Sequence, residues 1–195
     1  MLLSESEKDQ MNIVCLSGSK FGMTTRIALD QVLSLIAGKY PQHRTTLLDL
    51  ADYDVEFSDG RHYLDYEGDT GYVAKTIMEA DAIIIGTPIF QASIPGTLKN
   101  VFDLLPFNAF QNRVVGIIAL AGSARHYLVV EHHLKSILSY MKAYLVRQYV
   151  FIEDVDFDDQ KTIINPDIHA RIERLVHETV LTMEVYNRMK SGRTL

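Results

Sequence analysis

Three short stretches of the chain carry residue types suited to holding an anion and a flat ring. The first reads Ser17-Gly18-Ser19-Lys20-Phe21-Gly22-Met23-Thr24-Thr25-Arg26. Its small residues let backbone N–H groups approach an anion, its hydroxyls add donors, and a helix starting here adds partial positive charge. A phosphomonoester, with about −1.5 to −2 charges near neutral pH, suits such neutral donors with Arg26 or Lys20 beside them. The same residues equally suit an ordinary strand-to-helix turn capped by Thr. Neither the Gly-Lys-Ser/Thr of a nucleotide triphosphate loop nor G-x-G-x-x-G is present, so the stretch fits a mononucleotide's terminal phosphate better than a pyrophosphate.

The second stretch runs from Gly86 through Thr87-Pro88-Ile89-Phe90-Gln91 to Pro95-Gly96-Thr97-Leu98-Lys99-Asn100. Pro88 fixes how the chain leaves a buried strand. Ile89 and Phe90 then form an apolar surface for the face of an aromatic ring, or simply pack on a helix. Backbone amides beside them could bond the ring's polar edge. Lys99 and Asp103, four residues apart, form a helix-surface ion pair rather than a catalytic dyad. The third stretch is Leu120-Ala121-Gly122-Ser123-Ala124-Arg125-His126. Its small residues again permit close backbone approach, and Arg125 is either a second anion contact or a solvated side chain.

What positions these loops is an alternation of two periods. Apolar runs at 12–17, Thr45–Leu50, Asp81–Thr87, Val114–Leu120 and Tyr144–Ile152 read as strands. Helical spacing marks 24–38, 72–79, 95–105, 126–142 and the stretch from Pro166 to about Met189. Strands alternating with helices imply a parallel sheet with right-handed crossovers. The expected fold is α/β, a flavodoxin-like three-layer sandwich: a five-stranded parallel sheet of order 2-1-3-4-5 with helices on both faces. Ligands in such sheets bind beyond the C-terminal strand ends, near the point where strand order reverses. All three loops lie there. Residues 11–190 are expected to form this one domain, with a short extension over 1–10 and a tail over 191–195.

Taken together, the loops resemble the NAD(P)H-dependent FMN reductase family. The Gly18-Ser19 turn with Thr24-Thr25 looks like the family's phosphate loop. Thr87-Pro88-Ile89-Phe90 with Pro95-Gly96-x-Leu98-Lys99-Asn100-x-x-Asp103 looks like its P-x-Y…G-x-L-K-N-x-x-D segment. Ala121-Gly122-Ser123 stands where the family usually has a Gly-Gly pair. Leu104-Leu105-Pro106 and the stretch from Val114 to about Ile152 are most similar to the flavin reductases that serve alkanesulfonate monooxygenases, with the azobenzene reductases close by. The resemblance spans roughly Met11 to Phe157. It implies FMN bound at Ser17, Gly18, Ser19, Thr24, Thr25 and Arg26, with its phosphate at Ser19, Thr24 and Thr25 and Arg26 as a further candidate contact. The flavin ring would lie against Thr87, Pro88, Ile89, Phe90 and Gln91 and against Ala121, Gly122 and Ser123. It also implies NADPH or NADH as hydride donor, no catalytic side chain, and a quinone or azo compound as a further acceptor. A homodimer or homotetramer is expected, with a monooxygenase as partner if reduced flavin is released. Phe90 in place of Tyr, Phe21 in place of Arg, and Ser123 in place of Gly depart from the family pattern. A flavodoxin-like electron carrier without NAD(P)H turnover, or a flavin-free relative, shares the same fold.

Composition narrows the rest. Lys and Arg number 19 against 25 Asp and Glu, a net charge of −6, and no dense basic stripe points to nucleic acid. The longest apolar runs fall well short of the ~20 residues of a membrane helix. No export signal is read at the start, and Met11 stands directly before the first strand. Cys15 has no partner for a disulfide, so a reducing, cytoplasmic setting is expected. It reads as buried filler. The acidic stretch Asp49–Asp69 lacks the Gly and Glu of a calcium loop, and reads as a solvated loop, with a lid over the flavin as the lesser alternative. His177-Glu178 lacks the second His of H-E-x-x-H, so no metal is expected.

Overall fold

The computed structural model describes residues 10–190. The expected extension over 1–10, Gln10 apart, and the tail over 191–195 lie outside the described residues. Strands β1 (Asn12–Ser17), β2 (Arg44–Asp49), β3 (Ala82–Pro88) and β4 (Val114–Ala121) are joined through α1 (Thr24–Lys39), α2 (Gly68–Met78) and α3 (Gly96–Leu104). After β4 come α4 (Lys135–Tyr140), β5 (Tyr144–Leu145), β6 (Val150–Glu153) and α5 (Pro166–Lys190). All strand pairs are parallel and the order is β2-β1-β3-β4-β5, with β6 also beside β4. The expected order 2-1-3-4-5 and flavodoxin-like layering are therefore present.

The layers follow from residue alternation. Val14, Leu16, Ile83, Ile85, Val115 and Ile117 face one core with α2, α3 and α4. Ile13, Cys15, Ala82, Ile84, Ile118 and Leu120 face a second core with α1 and α5. Because both sheet faces are covered, the strands are apolar runs rather than polar-apolar alternations. Each fully buried Ile or Leu contributes about 1.5–3 kcal/mol of transfer free energy. The seam between α1 and α5 is also polar. Gln31 meets His169 at 2.8 Å, Tyr40 meets His177 at 2.7 Å, and Lys39 pairs with Glu173. Just beyond α1, His43 meets Glu184 of α5 at 3.0 Å.

Two expected elements are broken. The helix expected over 126–142 is instead a 3-10 turn at Ala124–His126, a π-helical segment at Val130–Leu134 and then α4. In the π segment the Lys135 N–H reaches the Val130 carbonyl, five residues back. The strand expected over Tyr144–Ile152 is split. Leu145 lies beside Val115, but Val150 lies beside Ile118. Three steps of β4 thus face five on its neighbour, and Val146–Tyr149 bulges from the sheet edge. A smaller difference concerns α2, which begins at Gly68 rather than residue 72. Its start is folded against the preceding segment: a Cβ at Gly71 would overlap the Tyr66 carbonyl. Gly71→Ala should therefore lower stability by about 1–3 kcal/mol. Gly38→Ala near the end of α1, where nothing lies within 4 Å, should raise it by about 0.5–1 kcal/mol. Urea unfolding midpoints check both signs.

Candidate functional site at the C-terminal strand ends

At the C-terminal end of β1 the chain turns into α1. The N-cap is Met23, in helical conformation, not a Thr. No side chain caps the helix and no acidic residue stands in its first turn. The first N–H groups of a helix have no intrahelical acceptor, so this end offers donors and a positive field with Thr24 and Thr25 upon it. That donor set fits a phosphate. Ser19 is already engaged: its O–H donates to the Phe21 carbonyl at 2.8 Å, and its oxygen accepts the Phe21 N–H at 3.1 Å. It shapes the turn. Arg26 is directed elsewhere. Its Nε lies 3.1 Å from Asp30, and its Nη1 lies 3.2 Å from Asp49 and 3.7 Å from Asp52. Desolvation works against the charge, but hydrogen bonds to Asp30 and Asp49 hold its pKa above the ordinary value. Asp49 is buried and lies beside Ser17 in the sheet. Arg26 thereby neutralises a carboxylate next to the first loop.

The three loops are tied to one another. The Gly18 N–H donates to the Gly86 carbonyl at 2.8 Å, and the Thr97 hydroxyl donates to the Gly18 carbonyl at 2.8 Å. The Ile89 N–H reaches the Leu120 carbonyl at 2.8 Å. Thr87 is fully buried and its hydroxyl donates to the Pro88 carbonyl at 3.0 Å. Pro88 and Ile89 are half-buried, and Phe90 is 44% exposed. Phe90 and Ser93 exchange both backbone hydrogen bonds at 2.9 Å around Gln91 and Ala92, whose φ values are 49° and 57°. Two positive φ values in a two-residue hairpin loop define a type I′ turn, normally Asn-Gly. Side-chain-bearing residues in this region cost about 1–2 kcal/mol each, and backbone strain of this kind gathers at ligand sites. The turn is held from outside by Ser93, whose Oγ is 3.0 Å from His133 Nδ1 in the π segment. Ala121 is buried, Gly122 exposed and Ser123 half-buried with extended backbone. A flat ring over Pro88–Gln91 and Ala121–Ser123 thus meets apolar surface and exposed main chain.

The segment between β2 and α2 is an ordered strap more than a solvated loop. Asn100 holds it as a third strand would: its Nδ2 donates to the Glu56 carbonyl at 2.8 Å, and its Oδ1 accepts the Ser58 N–H at 2.9 Å. Tyr66 is fully buried and donates to Asp59 at 2.8 Å. Hydrogen bonds from Arg61 first, then Tyr66, hold the Asp59 pKa at about 2. Between the strap and the first loop lies a hollow of 230 Å³ lined by Lys20, Leu50, Val55, Phe57, Thr97 and Asn100. No cluster that could hold a metal ion occurs among the described residues. Burial pushes the Cys15 thiol up to about 12, with Asp30 adding to the shift, so no thiolate is present at neutral pH. No helix among the described residues is long and apolar enough to cross a membrane.

The model of the family described as NADPH-dependent FMN reductase matches residues 11–157. The chain belongs to that family. The reductase is 38% identical over 182 residues to an NAD(P)H-dependent FAD/FMN reductase of Geobacillus thermodenitrificans, covering 93% of this chain and 97% of the relative. It is 27% identical to an FMN reductase (NADPH) of Pseudomonas aeruginosa, covering 82% and 86%. Its fold is similar to that of an NADH:FMN oxidoreductase in apo form, with a TM-score of 0.71, 20% identity, and coverage of 89% and 90%. The family's cofactors are FMN and NAD(P)H, which match the uncapped α1 start and the open apolar surface.

Two substitutions test these loops. Arg26→Gln leaves buried Asp49 without its cation; it should cost roughly 1–3 kcal/mol of stability and, by leaving an unpaired carboxylate beside the first loop, weaken FMN binding by roughly three- to tenfold. Ala92→Gly relieves the left-handed backbone and should raise stability by about 1 kcal/mol. Urea unfolding and flavin-fluorescence titration read both.

Proposed function

We propose that residues 11–190 act as one unit that oxidises NAD(P)H with FMN, seated across the three loops, as the hydride acceptor. The observation that carries this reading is the convergence, at the reversal of strand order, of an uncapped helix start with a strained turn flanked by Pro88 and Phe90. FMN supplies the redox chemistry when bound, accepting hydride from the nicotinamide and a proton from solvent. The N–H groups at the start of α1, with the Thr24 and Thr25 hydroxyls, hold the phosphate. Pro88–Gln91 and Ala121–Ser123 hold the ring by surface contact and main-chain donors. Ser17, Gly18 and Ser19 shape the turn, and the paired Arg26 removes the repulsion of Asp49. Gly122 lies open, leaving room for a nicotinamide on the outward ring face. No side chain acts as nucleophile or acid.

A quinone, an azo compound or free flavin is the final acceptor in this reading. Free reduced flavin would feed a monooxygenase, and the setting is cytoplasmic. A homodimer or homotetramer is supported by a 470 Å³ groove between α3 and α4, flanked by the exposed rings of Phe107 and Tyr140.

The test follows nicotinamide absorbance with NADPH or NADH, with and without FMN, and adds each acceptor in turn. FMN-dependent oxidation is expected. No oxidation of either nucleotide by the FMN-loaded protein would leave an electron carrier as the better reading. Thr24→Ala should weaken FMN binding about tenfold, since hydrogen bonds to charged groups contribute roughly 1.5–3 kcal/mol. An unchanged affinity in a fluorescence titration places the phosphate elsewhere.

A further inference from the structure

The bulge Val146–Tyr149 at the sheet edge puts exposed Arg147 and Gln148 between buried Val146 and half-buried Tyr149. Bulges at sheet edges re-aim side chains beside functional sites. Here the result is an open groove of 460 Å³ lined by Tyr127, Glu131, Arg147, Tyr149, Phe151 and Arg171. Among the described residues Arg147 makes no ion pair or hydrogen bond. Arg171 has only distant contacts, 3.9 Å to Asp167 and 3.5 Å to the Tyr149 carbonyl. Lys135 stands 4.9 Å over the Tyr149 ring and is paired with Glu131 at 2.7 Å. On a protein of net charge −6, this groove carries two guanidinium groups with little local neutralisation, beside aromatic surface. Planar guanidinium groups bind phosphate with two parallel hydrogen bonds, and aromatic faces stack on a base.

The groove is also tied to the third loop of the site described above. Tyr127 follows Ser123 by one short turn, and the Tyr149 hydroxyl donates to the Tyr127 carbonyl at 2.9 Å. We propose that this groove binds the 2′-phosphoadenosine end of NADPH, with Arg147 as the residue that distinguishes NADPH from NADH. The inference rests on the reading that nicotinamide stacks near Gly122; the dinucleotide then runs over the Ala124–His126 turn into the groove. Arg171 supports the phosphate, and Tyr127 or Phe151 faces the adenine. NADH, lacking the 2′-phosphate, gains nothing from Arg147.

The test titrates the full-length protein with 2′,5′-ADP, 5′-AMP and FMN, and measures KM for both nucleotides with wild type, Arg147→Ala and Arg174→Ala. Arg174 is an exposed arginine outside the groove, against a neighbouring hollow. Tighter binding of 2′,5′-ADP than of 5′-AMP is expected, with about a tenfold loss of 2′,5′-ADP affinity in Arg147→Ala. The KM for NADPH should rise by a similar factor relative to that for NADH. Equal binding of the two adenosine probes overturns the proposal. So does an equal effect of Arg174→Ala, which would mark a general field, or a loss confined to FMN, which would assign the groove to flavin. Absence of FMN-dependent turnover would instead sink the oxidoreductase reading, while the 2′,5′-ADP titration still decides the groove.

Discussion

The hydrogen bond from the Gly18 amide to the Gly86 carbonyl closes the gap between β1 and β3 where their chains part. It forms only because neither residue has a side chain. A Cβ at Gly18 would come within 2.9 Å of Leu98, and one at Gly86 within 3.0 Å of Leu29 and Thr25. Helices α3 and α1 therefore close on the same two strand ends from opposite faces. The start of α1, the start of α3 and the Pro88–Ser93 hairpin all take their positions from that junction. Tight packing here makes the loops beyond it a rigid rim, as parallel α/β sheets require of a ligand crevice.

An acidic protein that binds anionic cofactors must solve its electrostatics locally. For the phosphate site proposed at the first loop, the solution is neutral main-chain donors plus the removal of an adverse charge: Arg26 pairs with Asp30, Asp49 and Asp52. The strap follows the same logic. Arg61 bonds Glu56 and Asp59, while Lys20 approaches Asp54 at 3.7 Å. Asp54, Glu56 and Asp59 are thus engaged by nearby cations, and Asn100 and buried Tyr66 do the anchoring. Arg147, by contrast, makes no ion pair among the described residues and projects at the opposite edge of the sheet from β2.

Much of the fold was legible from periodicity alone. Buried parallel strands are continuous apolar runs, so β1, β3 and β4 fall within a residue or so of their expected limits. Pro95 and Pro166 mark helix starts because a proline lacks the N–H that the first turn leaves unused. The broken elements were not legible. The π segment and the edge bulge each insert residues without changing apolar content, and a pattern of apolar residues does not record a phase slip. The strap escaped for another reason: it is held by Asn100, some forty residues away in the chain, and composition carries no sign of such a bond.

At the site the division is similar. Sequence by itself determined the strand-helix alternation, the small residues and hydroxyls of the first loop, and the family, since these depend on residue type at short spacing. Tertiary structure alone decided what each side chain is free to do. It turned Arg26 toward carboxylates, closed Ser19 onto Phe21, and held Gln91 and Ala92 in a left-handed turn. Those outcomes are competitions between partners brought together by folding. The nearest acceptor or the tightest packing wins, and neither is written in the spacing of residues along the chain.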